Sequence, residues 1–365
     1  MPAGRIVTPD GVVEGHLTFA DGRIAGIRSA PVDADAPWLV PGFVDLHVHG
    51  GGGASYASDD PDEVRAAAAW HLQGGTTTTL ASLVTAPQEV LVQQVATVAS
   101  VVEAGSTVVG SHLEGPFLDP GHKGAHDPRL LLAPDADLAE RIVAAGRGTV
   151  RMMTLAPELP GGLELVAALA AAGVLPAVGH TDATADVVRS AAAAGARVGT
   201  HLFNGMRGLH HREPGTPGGL LDSPDVVCEL ICDGVHLDGA VVRLAFASAR
   251  GGVVLVTDAI SAAGAPDGRY RLGSLDVDVV DGVARLVEGG SIAGSTLTTG
   301  EAFRRAVRDF SVALEDVVQA ASTRPARVLG LTDRGAVEVG LRADVVELSP
   351  DLAVQQVFLA GVPVR

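Results

Sequence analysis

The stretch "PGFVDLHVHGGGG" (residues 41–53) sets the problem. An apolar run ends in two histidines one residue apart and is followed at once by four glycines. In a strand, residues i and i+2 share a face, so Phe43, Asp45, His47 and His49 line one side. The glycines let the chain turn sharply and leave room close to the backbone. Two imidazoles side by side at a strand end make a metal claw or, equally well, two partly exposed polar side chains at a sheet edge. The stretch alone does not separate these readings.

Seven further apolar runs continue the pattern: "TTTTLASL" (76–83), "TVVGSHL" (107–113), "TVRMMTL" (149–155), "VLPAVG" (174–179), "RVGT" (197–200), "VCELIC" (227–232) and "GVVLVT" (252–257). Between most of them lie Ala-rich stretches with helical periodicity, at 61–72, 88–103, 161–172, 185–194 and 238–250. Eight strands alternating with helices predict an α/β fold, a (β/α)8 TIM-like barrel. An open doubly wound sheet is the alternative. Residues 5–29 and 343–364 read instead as short strands, with "PDG" (9–11) and "DG" (21–22) as turn signals near the start. The expected organisation is a barrel over 41–340 and a small β-sandwich domain formed by both termini, 1–40 and 341–365.

A barrel gives the two histidines company. The first run ends in His47 and His49, the third is followed by Glu114, the fifth by His180 and the sixth by His201. The seventh is followed by "DGVH", with His236, and the eighth by Asp258. All these positions fall at the C-terminal mouth, where barrels build active sites. Metal-capable side chains at six run ends favour the metal reading, and an imidazole–carboxylate–imidazole cluster suits zinc or ferrous iron.

The composition narrows the partners. A formal net charge of −17, from 26 basic and 43 acidic side chains, disfavours a nucleic-acid surface, which needs clustered cations. A small anion in a local basic pocket remains possible, although no GxxxxGK[ST] loop is present to hold a phosphate. Aromatic residues are only 3% of the chain, so the core must be built from Ala, Val and Leu. Cys228 and Cys232 lack CxxC spacing; at i and i+4 in a strand they share a face and read as buried core thiols. Nothing suggests an oxidising compartment. The N-terminus lacks a signal-peptide apolar region, and no apolar run reaches membrane-spanning length. A soluble, cytoplasmic protein is expected.

The barrel with HxH on its first strand and Asp after its eighth resembles the amidohydrolase superfamily. Within it, the chain is similar to the N-acetylglucosamine-6-phosphate deacetylase family. The supporting strings are "HLEGPFL" (112–118), "KGAHDP" (123–128), "VGHTDAT" (178–184), "THLFNGM" (200–206), "REPG" (212–215), "DGVHLD" (233–238), "LVTDAI" (255–260) and "GSIAGSTLT" (290–298), in family order. "LEGP" and "HLFNGM" are far more specific than HxH. The resemblance implies hydrolysis of the acetamide of N-acetyl-D-glucosamine 6-phosphate to D-glucosamine 6-phosphate and acetate.

The resemblance also implies roles. Glu114, His180 and His201 would hold one tight divalent metal, Zn or Fe(II), with His47 and His49 forming a second site. The carboxylated lysine that bridges two metals in other amidohydrolases has no counterpart here: the fourth run ends "TLAPE", and the only lysine, Lys123, lies in a loop. Asp258 would be the general base and acid, with His236 facing the amide carbonyl. Arg212, Asn204 and the Gly205 amide would bind the phosphate. Ala125 and His126 would meet sugar hydroxyls, Asp233 would belong to the substrate region, and the Ile292–Ala293–Gly294 turn would pack on the acetyl end. The Gly/Pro-rich segment 117–128 is a possible lid. The family's dimers imply a homodimer in which Arg212 completes the neighbouring subunit's site.

Plainer readings stand beside these. Asp258 in "TDA" is good N-cap chemistry, Arg212 could be a solvated loop cation, and His236 could bond only to water. For the whole chain, the alternatives are an amidohydrolase acting on a cyclic amide or an amine, and an inactive barrel used as a binding scaffold.

Overall fold

The computed structural model describes residues 1–365. Eight parallel strands follow in chain order: Phe43–Asp45, Thr76–Val84, Val108–Glu114, Val150–Leu155, Leu175–Val178, Val198–Gly199, Val227–Ile231 and Val253–Val256. Each is hydrogen-bonded to the next. The eighth closes back on the first. The Asp258 amide donates to the His47 carbonyl (2.8 Å) and the His49 amide to the Ala259 carbonyl (2.7 Å). Beneath them the buried Asp45 carboxylate accepts the Thr257 hydroxyl at 2.6 Å. This seam makes the sheet a barrel and rules out the open doubly wound arrangement.

The five expected helices form, as Pro61–Gln73, Gln88–Glu103, Gly162–Ala171, Ala185–Ala194 and Gly239–Ser248. Side chains of Asp60, Thr184 and Asp238 cap three of them by accepting from the amides of Asp62, Val187 and Ala240, which satisfies first-turn N–H groups that have no partner within the helix. Helices also form over Ala136–Ala145, Gly215–Asp222 and Thr299–Arg308, outside the five Ala-rich stretches read from the sequence, although Leu138, Ala139 and Ile142 and likewise Ala302, Phe303 and Ala306 make a clear buried face. The first strand is shorter than its apolar run suggests: its ladder stops at Asp45, and His47 and His49 lie in the extension past it.

The two chain ends share one seven-stranded sheet. Trp38–Pro41 joins them, parallel to Ala3–Thr8 on one side and antiparallel to Val345–Leu348 on the other. The "DG" signal at 21–22 works as expected. Asp21 and Gly22 both have positive φ (50° and 74°), as a tight two-residue hairpin turn requires. Ile6, Leu17, Ile24, Leu39 and Val345 form a core for this sheet separate from that of the barrel.

Between the eighth strand and helix Thr299–Arg308 the chain adds an antiparallel meander of three strands, Gly268–Leu272, Leu275–Val280 and Val283–Leu286. It packs its own small core against Ile260, Ala262 and Ala293 at the barrel mouth. Cys228 and Cys232 are free and buried as expected, and burial pushes both thiols up to about 12. No helix is long and apolar enough to cross a membrane.

Candidate metal and active site

Four of the metal-capable residues sit two positions beyond a strand end: His47 after Asp45, His180 after Val178, His201 after Gly199 and Asp258 after Val256. Glu114 is the last residue of its own strand. His180, His201 and Asp258 have left-handed backbones, with φ of 47°, 30° and 49°. That conformation costs a non-glycine residue on the order of 1–2 kcal/mol, and it persists where the surroundings over-determine it. The packing leaves no slack around His180: a Cβ on Gly205 would come within 2.9 Å of its Nδ1.

Glu114 is the hub. Its Oε1 lies 2.9 Å from His180 Nε2, 3.1 Å from His201 Nε2 and 3.5 Å from His47 Nε2. Its Oε2 lies 3.2 Å from His49 Nε2 and 3.4 Å from His126 Nε2. The Nε2 atoms of His180 and His201 are 3.0 Å apart, and those of His47 and His49 are 3.1 Å apart. Asp258 Oδ1 is 3.2 Å from His49 Nε2 and 3.5 Å from that of His47.

The far side of each ring shows which nitrogen is bare. Nδ1 of His47 faces the Glu229 carboxylate (3.0 Å), Nδ1 of His49 the Ser82 carbonyl (3.2 Å) and Nδ1 of His180 the His122 carbonyl (2.8 Å). All three partners are acceptors, so each Nδ1 carries a hydrogen, and the position left to offer a lone pair to a metal is Nε2. Lone pairs pointed at one another and at a carboxylate 3 Å away repel unless a cation lies among them. Two donor groups share Glu114, one with His47 and His49 and one with His126 and His180. His201 adjoins the second. This N/O donor set fits a divalent metal.

Protons alone answer the same repulsion. Burial works against a charged His47, but Glu114, Asp258 and Glu229 hold its pKa well above the ordinary value. His49 is likewise held up at about 8 by Asp258 and Glu114 despite its burial. Burial also opposes charge on the two carboxylates. The imidazoles nonetheless keep Glu114 well below the usual range and Asp258 at about 2. Asp258 is therefore an ionised proton acceptor. His126 differs: burial takes it down to about 4, and its Nδ1 lies 3.0 Å from the Thr85 hydroxyl.

His236 follows the seventh strand, and its ring orientation is fixed by Asp233. One carboxylate oxygen of Asp233 accepts from His236 Nδ1 at 2.7 Å, and the other accepts the backbone amides of Val235 and His236, each at 2.8 Å. Burial disfavours the imidazolium, but Asp233 outweighs it and raises the pKa.

These groups open into one cavity at the mouth. Of the residues expected in the site, His49, Glu114, Ala125, His126, His180, His201, Asn204, Gly205, His236, Asp258, Ile292 and Gly294 line it. His47 is fully buried behind this wall. Asp233 stands behind His236 rather than in the cavity, and Ala293 is buried in the core of the meander. Arg212 is exposed on the long connection and does not line its own chain's cavity; its backbone amide donates to His210 Nδ1.

Comparison with known proteins agrees with this arrangement. Residues 38–364 match the family model described as "Amidohydrolase family". This chain belongs to the amidohydrolase family. An N-acetylgalactosamine-6-phosphate deacetylase of Escherichia coli O157:H7 is 39% identical over 367 residues, covering 98% of this chain and 97% of that protein. The crystal structure of N-acetyl-D-glucosamine-6-phosphate deacetylase from Mycobacterium smegmatis is 44% identical, with a TM-score of 0.94 over 100% of this chain and 99% of that one. A variant of the same enzyme, solved in complex with N-acetyl-D-glucosamine-6-phosphate, is 45% identical, with a TM-score of 0.94 over 99% of this chain and 98% of the other.

Several residues of this amidohydrolase site were not among those expected, although Gly124, Ser291 and His112 stand inside the strings "KGAHDP", "GSIAGSTLT" and "HLEGPFL". Leu272 and Ser291 reach the cavity from the meander and the loop after it, and Gly124 lines it beside Ala125. Glu229 sits beneath it on the seventh strand. Its sequence signal was present, an acid inside the apolar run "VCELIC". Ser82 and His112 form a buried layer lower down: His112 Nδ1 lies 2.9 Å from the Ser82 hydroxyl, and its ring meets that of His47 edge-on at 4.6 Å.

Proposed function

We propose that this chain hydrolyses the acetamide of N-acetyl-D-glucosamine 6-phosphate to D-glucosamine 6-phosphate and acetate, with a divalent metal, Zn or Fe(II), as cofactor. The convergence of Glu114, His180, His201 and His49, backed by His47, on one cavity that also holds Asp258 and His236 carries this reading. Glu114, His180 and His201 would hold the tight metal, and His47 and His49, with Glu114, the second. When bound, the metal supplies Lewis acidity that makes water a nucleophile near neutral pH and polarises the acyl oxygen.

The protein's own groups manage the protons. Asp258, held ionised, accepts the proton of the attacking water as its oxygen bonds to the acyl carbon. It then returns that proton to the amide nitrogen as the C–N bond breaks. Acetate and the free amine result. His236, oriented by Asp233, offers its Nε2 side to the acyl oxygen as negative charge gathers there. His126 and Ala125 border the sugar, and Ile292 and Gly294 border the acetyl group. A cytoplasmic location fits a phosphorylated sugar substrate.

The 4-epimer, N-acetyl-D-galactosamine 6-phosphate, is the second reading, favoured by the name of the 39% identical relative. Acetate release from the two epimers at equal concentration separates them. The expected result is a higher kcat/KM for the gluco compound; the reverse order assigns the galacto substrate, and no release from either removes the deacetylase reading.

Arg212 enters through assembly. It is exposed and absent from the lining of its own chain's cavity, on the connection between the sixth and seventh strands. In the proposed two-fold homodimer it completes the partner's phosphate site beside Asn204 and Gly205. Arg212→Ala is expected to raise KM for the phosphorylated sugar far more than for the unphosphorylated one. Mixing Arg212→Ala and Asp258→Asn subunits is expected to restore activity, because a mixed dimer has one site with both defects and one with neither. If exchange is demonstrated and no activity returns, the arginine is not shared.

A further inference from the structure

Glu229 is a carboxylate with no solvent exposure, on the seventh barrel strand directly beneath the cluster, and none of the steps above uses it. One oxygen does two things. Oε2 lies 3.0 Å from His47 Nδ1 and accepts the backbone amide of His201 at 3.1 Å. The first contact fixes the hydrogen of His47 on Nδ1 and so leaves Nε2 bare towards Glu114. The second holds the left-handed turn at His201. The other oxygen, Oε1, is buried without a hydrogen-bond partner. A buried, half-satisfied carboxylate is costly, and an uncharged residue of similar shape would fold more easily on that strand. Its geometry accounts for its presence: it reaches from behind to one histidine of each proposed metal site.

We propose that Glu229 is a positioning residue that acts through His47 and sets how tightly the His47/His49 side of the cluster holds its metal. A carboxylate hydrogen-bonded to the remote nitrogen of a metal-binding imidazole fixes the ring and raises its basicity, and loss of such a partner weakens metal binding by roughly 10- to 100-fold. Two features make the effect selective. His47 meets Glu229 through the ring itself, whereas His201 meets it only through the main chain. His180, on the other proposed site, takes its orientation from the His122 carbonyl and makes no hydrogen bond to Glu229. The proposal rests on the reading of His47 and His49 as metal ligands.

The test titrates metal-depleted wild type, Glu229→Gln, His47→Asn and the double variant with Zn²⁺ against a competing chelator, with bound zinc per chain measured directly. Glu229→Gln is expected to lower affinity for the weaker equivalent about 10- to 100-fold, to change the tighter equivalent much less, and to add nothing once His47 is Asn. Unchanged affinities in Glu229→Gln overturn the proposal, as does an equal further loss in the His47→Asn background. Glu229→Asp separates position from charge: it keeps the anion but withdraws it by one methylene. Metal affinity is expected to fall in this variant too, and wild-type affinity in it overturns the proposal. Glu229→Asp also stands in if Glu229→Gln does not fold. The underlying reading fails by a different sign: a wild type that binds one equivalent, unaffected by His47→Asn.

Discussion

Asp258→Asn is expected to lower the rate of acetamide hydrolysis by about 10³-fold, a barrier increase of about 4 kcal/mol, while bound metal and KM stay close to wild type. The size follows from the role. General acid–base catalysis contributes about 10²–10⁴-fold, and the amide of Asn neither accepts the proton of water nor delivers one to the leaving nitrogen. The substitution suits the site sterically. Residue 258 has φ 49°, and Asn is among the few residues that tolerate this region well. The backbone bonds from the Asp258 amide to His47 and from Ser295 to the Asp258 carbonyl (2.8 and 2.7 Å) do not involve the side chain. Steady-state acetate release and metal analysis of the same preparation make the measurement. A variant that keeps near-normal turnover removes Asp258 from the proton path, and one that loses metal along with activity makes it a ligand first.

The barrel was legible because each of its signals is local. Every strand run but the first ends within one residue of a ladder end, and the Ala-rich stretches at 88–103 and 185–194 carry enough periodicity to mark their helices to the residue. The residues of the cluster were legible because His and Glu at the end of a buried strand stand out against Val, Leu and Ala. What the sequence hid depends on which walls face one another. Glu229 becomes informative only when the seventh strand is seen to lie behind both His47 and His201. Asp233 reads as a cavity residue until its two oxygens are found bonded to Val235 and His236. The meander was missed for a different reason. "SLDVDVVDGVARL" (274–286) has strand alternation and a tight "DG" turn, with Asp281 and Gly282 both at positive φ. Those signals came after the eight strands a barrel needs, although they bring Leu272 to the cavity.

Glu114→Gln is expected to have the largest effect of any single substitution at the site: loss of both metals and a fall in activity of at least about 10⁴-fold, at the level of removing the cofactor's contribution altogether. Two features of the geometry lead there. Glu114 is the one residue common to both donor groups, so no other substitution removes a donor from both at once. Its two oxygens also divide the histidines between them, Oε1 towards His180, His201 and His47 and Oε2 towards His49 and His126. Gln keeps the shape but turns one of those oxygens into an NH2 group and removes the negative charge that both donor groups contain. His49→Asn, by contrast, removes a ligand from one side only and is expected to keep the tight metal and part of the rate. The fold has no reason to fail in Glu114→Gln, because the strand pairing of residue 114 with Val84 and Thr154 is made by the main chain; a thermal melt of each metal-depleted protein checks this. Metal-depleted wild type should be inactive and recover on addition of Zn²⁺ or Fe²⁺, whereas Glu114→Gln should not recover with either. If Glu114→Gln keeps its metal and its turnover, the cluster is not the metal centre. If depleted wild type stays fully active, the reaction needs no metal at all.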